Sequence, residues 1–464
     1  MPIGDLGPEL AVLIGAVVVL LAAMALPQRR HGLCAGLALV ALAVAAAMAA
    51  RQLGAHRLTF SGTFALDGAT GAARLLILGA TALCIGLCPR WFATDRRHGE
   101  LYAMVLFSAL GAMAMVGAAD LMQLAVGILL SSVTGYVLAA WHRDWAISLE
   151  AGMKYFLIGA LANALMVIGI VLVMGMTGTT DYAALQAADL TGALTLIGLI
   201  LVLVGLLFKL GAVPGHTWVP DVAEGAPAPM AAFLTTVPKI AAALALIRLV
   251  ALVPTEGSAL RLLVALLAAV TMTLGNLAAL WQDDVRRLIG WSSVSQAGYA
   301  LMAVAVIGLA ESALPALIAF IGSYAIANVA ALAAIVHLRG RTELEGYAGL
   351  IRGQPLAAAT LILAFLSLVG IPPLVGFAGK FALFLAAIEG GFAWLAVVAI
   401  ANSVLSLFYY ARVIGPVAFG TSTERVETLG PSSKTVMAVT VVGVVLGSAA
   451  LLFVWSYLPI NALP

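Results

Sequence analysis

The sequence contains very little charge. Aspartate, glutamate, lysine and arginine make up only 9% of the 464 residues, and apolar residues make up 63%. The mean hydropathy is +1.12. Because ordinary soluble domains contain about 25% charged residues, this composition excludes a soluble globular protein. The net charge of +2 gives no indication of nucleic-acid binding, since the arginines lie in short connections between apolar segments.

Cysteine is also scarce. Cys34, Cys84 and Cys88 form no disulfide or metal framework, and Cys84 and Cys88 have no histidine or further cysteine nearby. Cys84 and Cys88 would share a helix face, where packing is the expected role. No haem, iron–sulfur, flavin or nucleotide motif is present, so we expect no metal, cofactor or redox centre on this chain. The first apolar run lacks a basic region and a cleavage site, so no cleavable signal peptide is predicted.

Long apolar runs, in contrast, are abundant. Runs of about 18–25 residues recur along the chain, each long enough to cross roughly 30 Å of hydrocarbon as a helix. They predict an all-α polytopic membrane protein. The expected fourteen transmembrane segments are residues 8–26, 33–50, 71–89, 99–117, 120–140, 150–175, 190–213, 227–252, 258–280, 290–309, 312–338, 355–387, 391–414 and 433–457.

The distribution of arginine predicts the orientation of these segments. With the N-terminus outside the cell, the inner connections carry fourteen basic residues and the outer side carries only five. Basic residues favour the cytoplasmic side, so both termini are expected in the periplasm of a bacterial inner membrane. The fourteen inner residues are Arg29, Arg30, Arg90, Arg96, Arg97, Arg143, Arg286, Arg287, Arg339, Arg341, Arg352, Arg412, Arg425 and Lys434.

Lysine is used differently from arginine. Of only five lysines, four lie inside apolar segments. A charged residue at the bilayer centre costs about 2.5–3.5 kcal/mol, and lysine can avoid that cost by releasing its proton. A row of buried groups that exchange protons is what a proton pathway requires. The four residues are Lys154, Lys209, Lys239 and Lys380.

Two segments are interrupted by proline close to such a lysine. Residues 208–229 contain Pro214, and residues 368–381 contain Pro372, Pro373 and Gly376. Proline removes a backbone donor, and irregular backbone inside a membrane must line protein or water. Proline kinks alone are common in membrane helices, but the nearby lysines favour a functional interpretation.

The two interruptions occupy matching positions. Each is the fourth segment of a five-segment unit, segments 4–8 and 9–13, and an odd number of segments gives the second unit the opposite orientation. Inverted repeats with broken helices are typical of ion transporters. We therefore expect four parts: an N-terminal three-helix segment (1–98), a first antiporter-like repeat (99–252), a second inverted repeat (253–415) and a C-terminal loop and helix (416–464).

At this level of detail the sequence resembles a known family. Residues 208–249, 148–170, 276–304 and 372–381 are similar to the regions around helices 7–8, 6, 9–10 and 12 of the N-type antiporter-like subunit of bacterial respiratory complex I. The resemblance covers most of residues 100–415. It implies a proton-translocating subunit of NADH:quinone oxidoreductase that contacts the M-, L-, K-, J- and A-type membrane subunits. NADH, FMN, iron–sulfur clusters and quinone would be bound by partner subunits.

The resemblance also implies roles for individual residues. Lys154, Lys209, Lys239 and Lys380 match the family lysines of helices 6, 7, 8 and 12, which form a polar axis across the bilayer midplane. His216 matches a histidine that follows the helix 7 break. A hydrogen-bonded loop histidine is an equally good interpretation of His216.

One position departs from the family pattern. Leu129 stands where the family has a glutamate in helix 5 that pairs with the helix 6 lysine. Glu150 lies one helical turn before Lys154 and is an alternative charge partner at the i, i+4 spacing. If neither carboxylate serves, Lys154 is expected to be neutral.

Three functions remain compatible with the sequence. The first is a proton-conducting subunit of a complex I-type machine. The second is a cation/proton antiporter of the Mrp type, and the third is a scaffold paralogue whose channel is impaired by Leu129. Other polar residues, Ser292, Ser293, Tyr299, Tyr324, Asn328 and His337, fit either pathway positions or ordinary helix contacts.

Overall fold

The computed structural model describes residues 3–255, 259–421, 427–455 and 462. These residues form nineteen α-helices, three short 3₁₀-helices and one β-hairpin. The 3₁₀-helices are Ile3–Leu6, Gln28–Arg30 and Leu344–Tyr347, and the antiparallel hairpin strands are β1 (Arg57–Thr59) and β2 (Phe64–Leu66). The α-helices are α1 (Gly7–Ala25), α2 (Gly32–Arg51), α3 (Gly68–Trp91), α4 (His98–Val116), α5 (Leu121–Ala139), α6 (Ala146–Thr177), α7 (Tyr182–Ala187), α8 (Ala193–Leu210), α9 (Trp218–Gly225), α10 (Ala228–Leu234), α11 (Val237–Ala251), α12 (Ala259–Leu280), α13 (Val285–Ala305), α14 (Ala313–His337), α15 (Leu350–Gly353), α16 (Pro355–Val369), α17 (Val375–Glu389), α18 (Ala393–Phe419) and α19 (Pro431–Trp455).

The predicted helical membrane fold is confirmed. Twelve spans among the described residues are long and apolar enough to cross a bilayer, and α10 and α11 together form one of them. Helix α13 and the α16–α17 pair correspond to the other two predicted segments, 290–309 and 355–387. The large buried core of α11, α13 and α14 lies in the middle of the bundle, while α1, α2 and α6 expose apolar side chains, as expected of helices that face lipid or other membrane proteins.

The two five-helix repeats are visible in the way that α5 and α13 begin. The Asp120 carboxylate accepts hydrogen bonds from the backbone of the first turn of α5, and Asp284 does the same for α13. Such capping satisfies the unpaired amides of a helix start. Each aspartate also forms a short antiparallel bridge, Asp120 with Asp181 and Asp284 with Glu343.

Helix packing repeats at the same spacing of 164 residues. A methyl group added to Gly111 of α4 would lie 2.5 Å from the backbone nitrogen of Ser131 in α5, and one added to Gly275 of α12 would lie 2.5 Å from that of Ser295 in α13. Only glycine allows so close an approach of two backbones. The units α4–α11 and α12–α18 are therefore structural repeats.

Both predicted helix breaks are present. Helix α8 ends at Gly211 and α16 ends at Gly370, each in the left-handed conformation that glycine readily adopts. The chain then leaves the helical path at 211–217 and 370–374 before α9 and α17 begin. Gly376 was predicted to interrupt the helix, but it lies within the first turn of α17. There its lack of a side chain lets α17 approach Ser367 of α16.

Buried ion pairs connect the N-terminal helices to one another and to the first repeat. Arg74 of α3 donates two hydrogen bonds of 2.7 Å to Glu9 of α1. Arg248 of α11 lies 2.8 Å from Asp67, the residue before α3. All four side chains are buried.

Hydrogen bonds also tie together the connections at the opposite end of the bundle. Gln28 donates to the carbonyl of Thr94, Arg97 to that of Trp141, and Arg412 to Asp283. These connections carry most of the arginines. We call this region the arginine-rich end.

Candidate proton pathway

Three of the four lysines singled out in the sequence are buried. The exposed fractions of Lys209, Lys239 and Lys380 are 0%, 1% and 3%. No carboxylate forms an ion pair with any of them among the described residues. Their amines are instead held by hydroxyl and carbonyl oxygens, which accept a hydrogen bond from a charged or a neutral amine.

Lys209 lies in the last turn of α8, just before the helix break. Its Nζ donates to Ser132 Oγ of α5 at 3.1 Å. The unpaired carbonyls of a helix C-terminus carry partial negative charge, which stabilises a nearby cation. This position therefore suits a lysine that is charged for part of a cycle.

Lys380 has an equivalent environment in the second repeat. Its Nζ donates to the carbonyl of Val369, the last residue of α16, at 3.1 Å, and to Ser403 Oγ of α18 at 3.3 Å. The ring of Tyr299 lies 4.2 Å from the amine, and an aromatic face also attracts a cation. The amine of Lys380 thus lies at the carbonyl end of α16, whereas Lys209 is itself a residue of the last turn of α8.

Lys239 lies between these two sites, at the start of α11. Its Nζ donates to the backbone carbonyl of Ser293 in α13 at 2.7 Å. The lysine of the first repeat is thereby attached to the second repeat.

Tyr324 of α14 continues the connection. Its hydroxyl lies 2.7 Å from Ser293 Oγ and donates to the carbonyl of Thr235 at 2.7 Å. Tyr324 also borders a cavity of about 10 Å³ that Lys380 reaches from the other side. A cavity of this volume, lined by several polar groups, is large enough for one water molecule. Its lining residues are Gln296, Phe320, Ser323, Tyr324, Ser367, Leu368, Gly376 and Lys380.

Several buried polar atoms in the bundle have no hydrogen-bond partner among the described residues. Ser131 Oγ, Tyr155 Oη and Asn163 Oδ1 lie in α5 and α6, and His216 Nδ1 and Ser295 Oγ belong to the α8–α9 break and α13. Buried polar groups are nearly always satisfied by protein or water. These atoms have hydrogen-bonding capacity that the described side chains leave unused.

The fourth lysine was predicted to be buried, and this prediction is wrong for the isolated chain. The Lys154 side chain is 45% exposed. Its Nζ lies 2.7 Å from Glu150 and 3.1 Å from Asp221 of α9, and Asp221 also pairs with Arg287. The residue lies on the outer face of α6, because this part of the helix turns the face that carries Gly152, Tyr155 and Gly159 toward the bundle.

The structure does not place His216 beside the lysines. It lies in the α8–α9 break, with its ring 5.8 Å from that of Trp291. His337, at the end of α14, lies 2.8 Å from Ser433 at the arginine-rich end. Asn328 donates to the hydroxyls of Thr235 and Thr236 and so holds the start of α11.

The way in which α5 and α6 pack side by side places Leu129 and Lys154 at different heights along the two helices. Gly159 packs against Tyr136, and Gly152 against Ala140, in antiparallel order. At 1.5 Å per residue, Leu129 and Lys154 therefore lie about 14–18 Å apart along the helix axes. A carboxylate at position 129 would not reach Lys154, contrary to the pairing expected from the sequence.

Some residues of the site had no interpretation in the sequence. Ser132, Gln296 and Ser403 become relevant only because the fold places them near a lysine or the small cavity. Ser132 and Gln296 are themselves related by the 164-residue repeat. The same spacing relates Asp120 to Asp284, so it could have related Gln296 to Ser132 from the sequence alone.

Comparison with known proteins agrees with this architecture. Residues 118–406 match the family described as NADH:quinone oxidoreductase/Mrp antiporter, TM. NADH-quinone oxidoreductase subunit N 1 of Streptomyces griseus is 42% identical over 462 residues, which covers 98% of this chain and 96% of that protein. Subunit N of Mycobacterium sp. (strain JLS) is 45% identical over 373 residues, or 80% and 79% of the two chains.

Solved structures support the same assignment. A chain of respiratory complex I from Thermus thermophilus matches with a TM-score of 0.81 and 32% identity, over 96% of this chain and 98% of that one. A chain of the Mrp complex from Dietzia sp. has a TM-score of 0.85 at 21% identity and covers 98% and 96%, which shows the shared fold alone. The fold and the family match define an antiporter-like membrane subunit. More narrowly, the chain belongs to the subunit N family of NADH-quinone oxidoreductases.

Proposed function

We propose that this chain is the proton-translocating N-type membrane subunit of a NADH:quinone oxidoreductase, and that Lys209, Lys239 and Lys380 carry the protons. The observation that supports this most directly is the connection from Lys239 through Ser293 and Tyr324 to the cavity at Lys380. Lys239 donates to the backbone carbonyl of Ser293, which only accepts, and the adjoining hydroxyls of Ser293 and Tyr324 are the groups that can both donate and accept protons.

In the proposed mechanism a proton resides on one lysine at a time. Each amine is held by oxygen acceptors, and at Lys380 one of these is a carbonyl at the negative end of a half-helix. Neighbouring positive charges repel one another strongly in a low-dielectric interior. A proton arriving on one lysine therefore favours release from the next.

The Tyr324 hydroxyl is the proposed relay between the halves. It accepts a proton from one side and donates its own to the other when it turns between Ser293 and the cavity. Ser293 alone does not reach the cavity, since it is not among the cavity's lining residues. Tyr324 is therefore the residue that both sides share.

Lys154 has a different role in this proposal. With Glu150, Asp221 and Arg287 it forms a charged cluster on the outer face of α6, α9 and α13. Charges in a membrane protein are stable when they are paired or covered by protein. We infer that Lys154 exchanges protons with a neighbouring subunit at this surface, and that His216 supports water at the adjacent break.

The redox chemistry would take place on partner subunits. Among the described residues there is no group of three or more histidine, cysteine, aspartate or glutamate side chains placed to hold a metal. The chain would contribute proton transfer alone, with NADH, FMN, iron–sulfur clusters and quinone bound elsewhere in the complex. The arginine-rich end would face the bacterial cytoplasm and both termini the periplasm.

A free-standing Mrp-type antiporter is the second candidate, and the shared fold is the observation in its favour. The sequence identity to the subunit N proteins, 42% and 45%, is about twice the 21% identity to the Mrp chain. An assay of sodium and proton flux in the same vesicles distinguishes the two.

The proposal is tested with Lys209→Ala in the assembled complex. Removing the amine at the first helix break should abolish or sharply reduce NADH-driven proton uptake, measured by quenching of a pH-sensitive dye in inverted vesicles. Lys434→Ala is a matched control, because Lys434 is exposed in the first turn of α19. Normal pumping by an assembled Lys209→Ala complex would show that Lys209 is not an obligatory carrier.

A further inference from the structure

A large cavity opens at the arginine-rich end of the bundle, away from the lysines. Its volume is about 780 Å³, and it lies where α3 ends, α5 joins α6, α14 ends and α19 begins. Four separate connections thus build one site. The lining residues are Arg90, Trp91, Ala93, Thr94, His142, Trp145, Arg339, Thr428, Leu429, Gly430 and Pro431.

The cavity is positively charged. Arg90 and Arg339 approach it from different helices, and no lining residue is acidic. Arg90 forms no ion pair with a described residue. Arg339 lies 3.3 Å from Glu427, but both side chains are exposed, at 58% and 80%, and exposed pairs of this kind contribute little. Both guanidinium groups are therefore available to an anion.

The start of α19 adds to the positive electrostatic potential of the cavity. Pro431 begins a helix of 25 residues with no acidic side chain in its first turn, so the positive end of the helix dipole is not neutralised locally. In the same turn, Ser432 Oγ is buried without a described partner.

Aromatic side chains form the opposite wall. The Trp91 indole N–H donates to His142 Nε2 at 3.1 Å, and the rings of His142 and Trp145 lie 4.2 Å apart. Burial lowers the pKa of His142, which keeps Nε2 free to accept this bond. Tryptophan is enriched where membrane proteins meet the lipid headgroups. We therefore expect this wall of the cavity to lie at the depth of the headgroups.

Exposed apolar side chains continue from the cavity along the neighbouring helices. Ile147, near the start of α6, is 44% exposed, and Val439, two turns into α19, is 50% exposed. An anion bound between the arginines would therefore have an apolar surface beside it on the membrane side. A free inorganic anion makes no use of such a surface, whereas the acyl chains of a lipid do.

We propose that this cavity binds the phosphate headgroup of an anionic membrane phospholipid. Arg90 and Arg339 would clamp the phosphate, as guanidinium groups do, and the start of α19 would add backbone donors. Basic pockets between helices on the cytoplasmic side are suited to such headgroups. The bound lipid would hold the ends of α3, α14 and α19 together.

The test counts lipids that remain on the purified, delipidated complex after equilibration with vesicles of phosphatidylglycerol and phosphatidylcholine. Native mass spectrometry of the wild type and the Arg90→Gln/Arg339→Gln variant should show a loss of one tightly held phosphatidylglycerol in the variant. Arg352→Gln removes an exposed arginine of α15 that does not line the cavity, and should lose none. The Arg90→Lys/Arg339→Lys variant should retain most of the binding, which separates loss of charge from misfolding.

Three results would overturn the proposal. An equal phosphatidylglycerol count in the wild type and the double glutamine variant would mean that another subunit covers the cavity. Displacement of the lipid by millimolar inorganic phosphate would indicate a free-anion site. Equal retention of phosphatidylcholine would show that the arginines do not select the headgroup charge.

Discussion

At the scale of single residues, the three buried lysines share one kind of environment. Lys209, Lys239 and Lys380 donate to hydroxyl or carbonyl oxygens and not to carboxylates. A buried carboxylate would bind the charged form so strongly that release of the proton would be slow. Neutral acceptors leave both protonation states accessible, which a carrier requires.

Leu129 allows a direct test of this reasoning. It lies one helical turn before Ser132, the partner of Lys209, and it is 40% exposed. Leu129→Glu would bring a carboxylate toward Lys209, so we expect slower proton release and reduced pumping with normal assembly. Proton uptake per NADH oxidised by the purified complex measures the effect.

The same variant tests the separation from Lys154. Because distant sites act additively to within about 0.5 kcal/mol, Leu129→Glu and Glu150→Gln should have independent effects on the thermal stability of the complex. A normal assembly yield found only in the double variant would contradict the register described here. It would mean that position 129 does communicate with the Lys154 pair.

The sequence predicted the identity of these lysines better than their surroundings. A lysine inside an apolar run can be recognised from the sequence alone, and three of the four lysines predicted to be buried are buried. Lys154 was misjudged because an apolar run does not show which helix face points outward. The roles of Ser132, Tyr324 and Gln296 depend on contacts between residues far apart in the chain, which no local pattern contains.

At the scale of elements, the helix breaks are the parts most clearly encoded in the sequence. Proline and glycine interrupt the helical path for steric reasons that need no tertiary contact, and both breaks were predicted. Gly376 was misassigned because its role is packing: a methyl group at this position would lie 1.8 Å from the carbonyl oxygen of Ser367.

Gly376→Ala should therefore loosen the contact between α16 and α17. Overpacking of this kind costs about 1–3 kcal/mol, so we expect a lower Tm for the purified complex and weaker coupling of pumping to NADH oxidation. Gly415→Ala is the matched control, since nothing lies within 4 Å of the added methyl group in α18. An unchanged Tm for Gly376→Ala would show that the two half-helices are not tightly packed.

At the scale of the whole molecule, the inverted repeats give two similar half-sites. Lys209 and Lys380 each lie at the carbonyl end of a broken helix, and the 164-residue spacing relates Ser132 to Gln296. The halves differ in what surrounds them. Besides its two buried lysines, the first repeat presents the charged cluster of Lys154, Glu150 and Asp221 at its surface, whereas the second has a single lysine, which is buried.

The central claim is that protons cross between the repeats at Tyr324. Its hydroxyl contacts Ser293 Oγ, and Tyr324 and Lys380 both line the small cavity. Tyr324→Phe removes this hydroxyl while keeping the ring. Tyr182→Phe is the control, because Tyr182 also carries a buried hydroxyl but lies outside the pathway, without a described partner.

The decisive measurement is the number of protons taken up per NADH oxidised by inverted vesicles that contain each assembled complex. Positioned proton-transfer groups contribute factors of about 10²–10⁴ in rate, so Tyr324→Phe should reduce proton uptake through this subunit by at least about tenfold. Tyr182→Phe should leave the ratio unchanged. A wild-type ratio in assembled Tyr324→Phe would contradict the account, because protons would then cross between the repeats by another route.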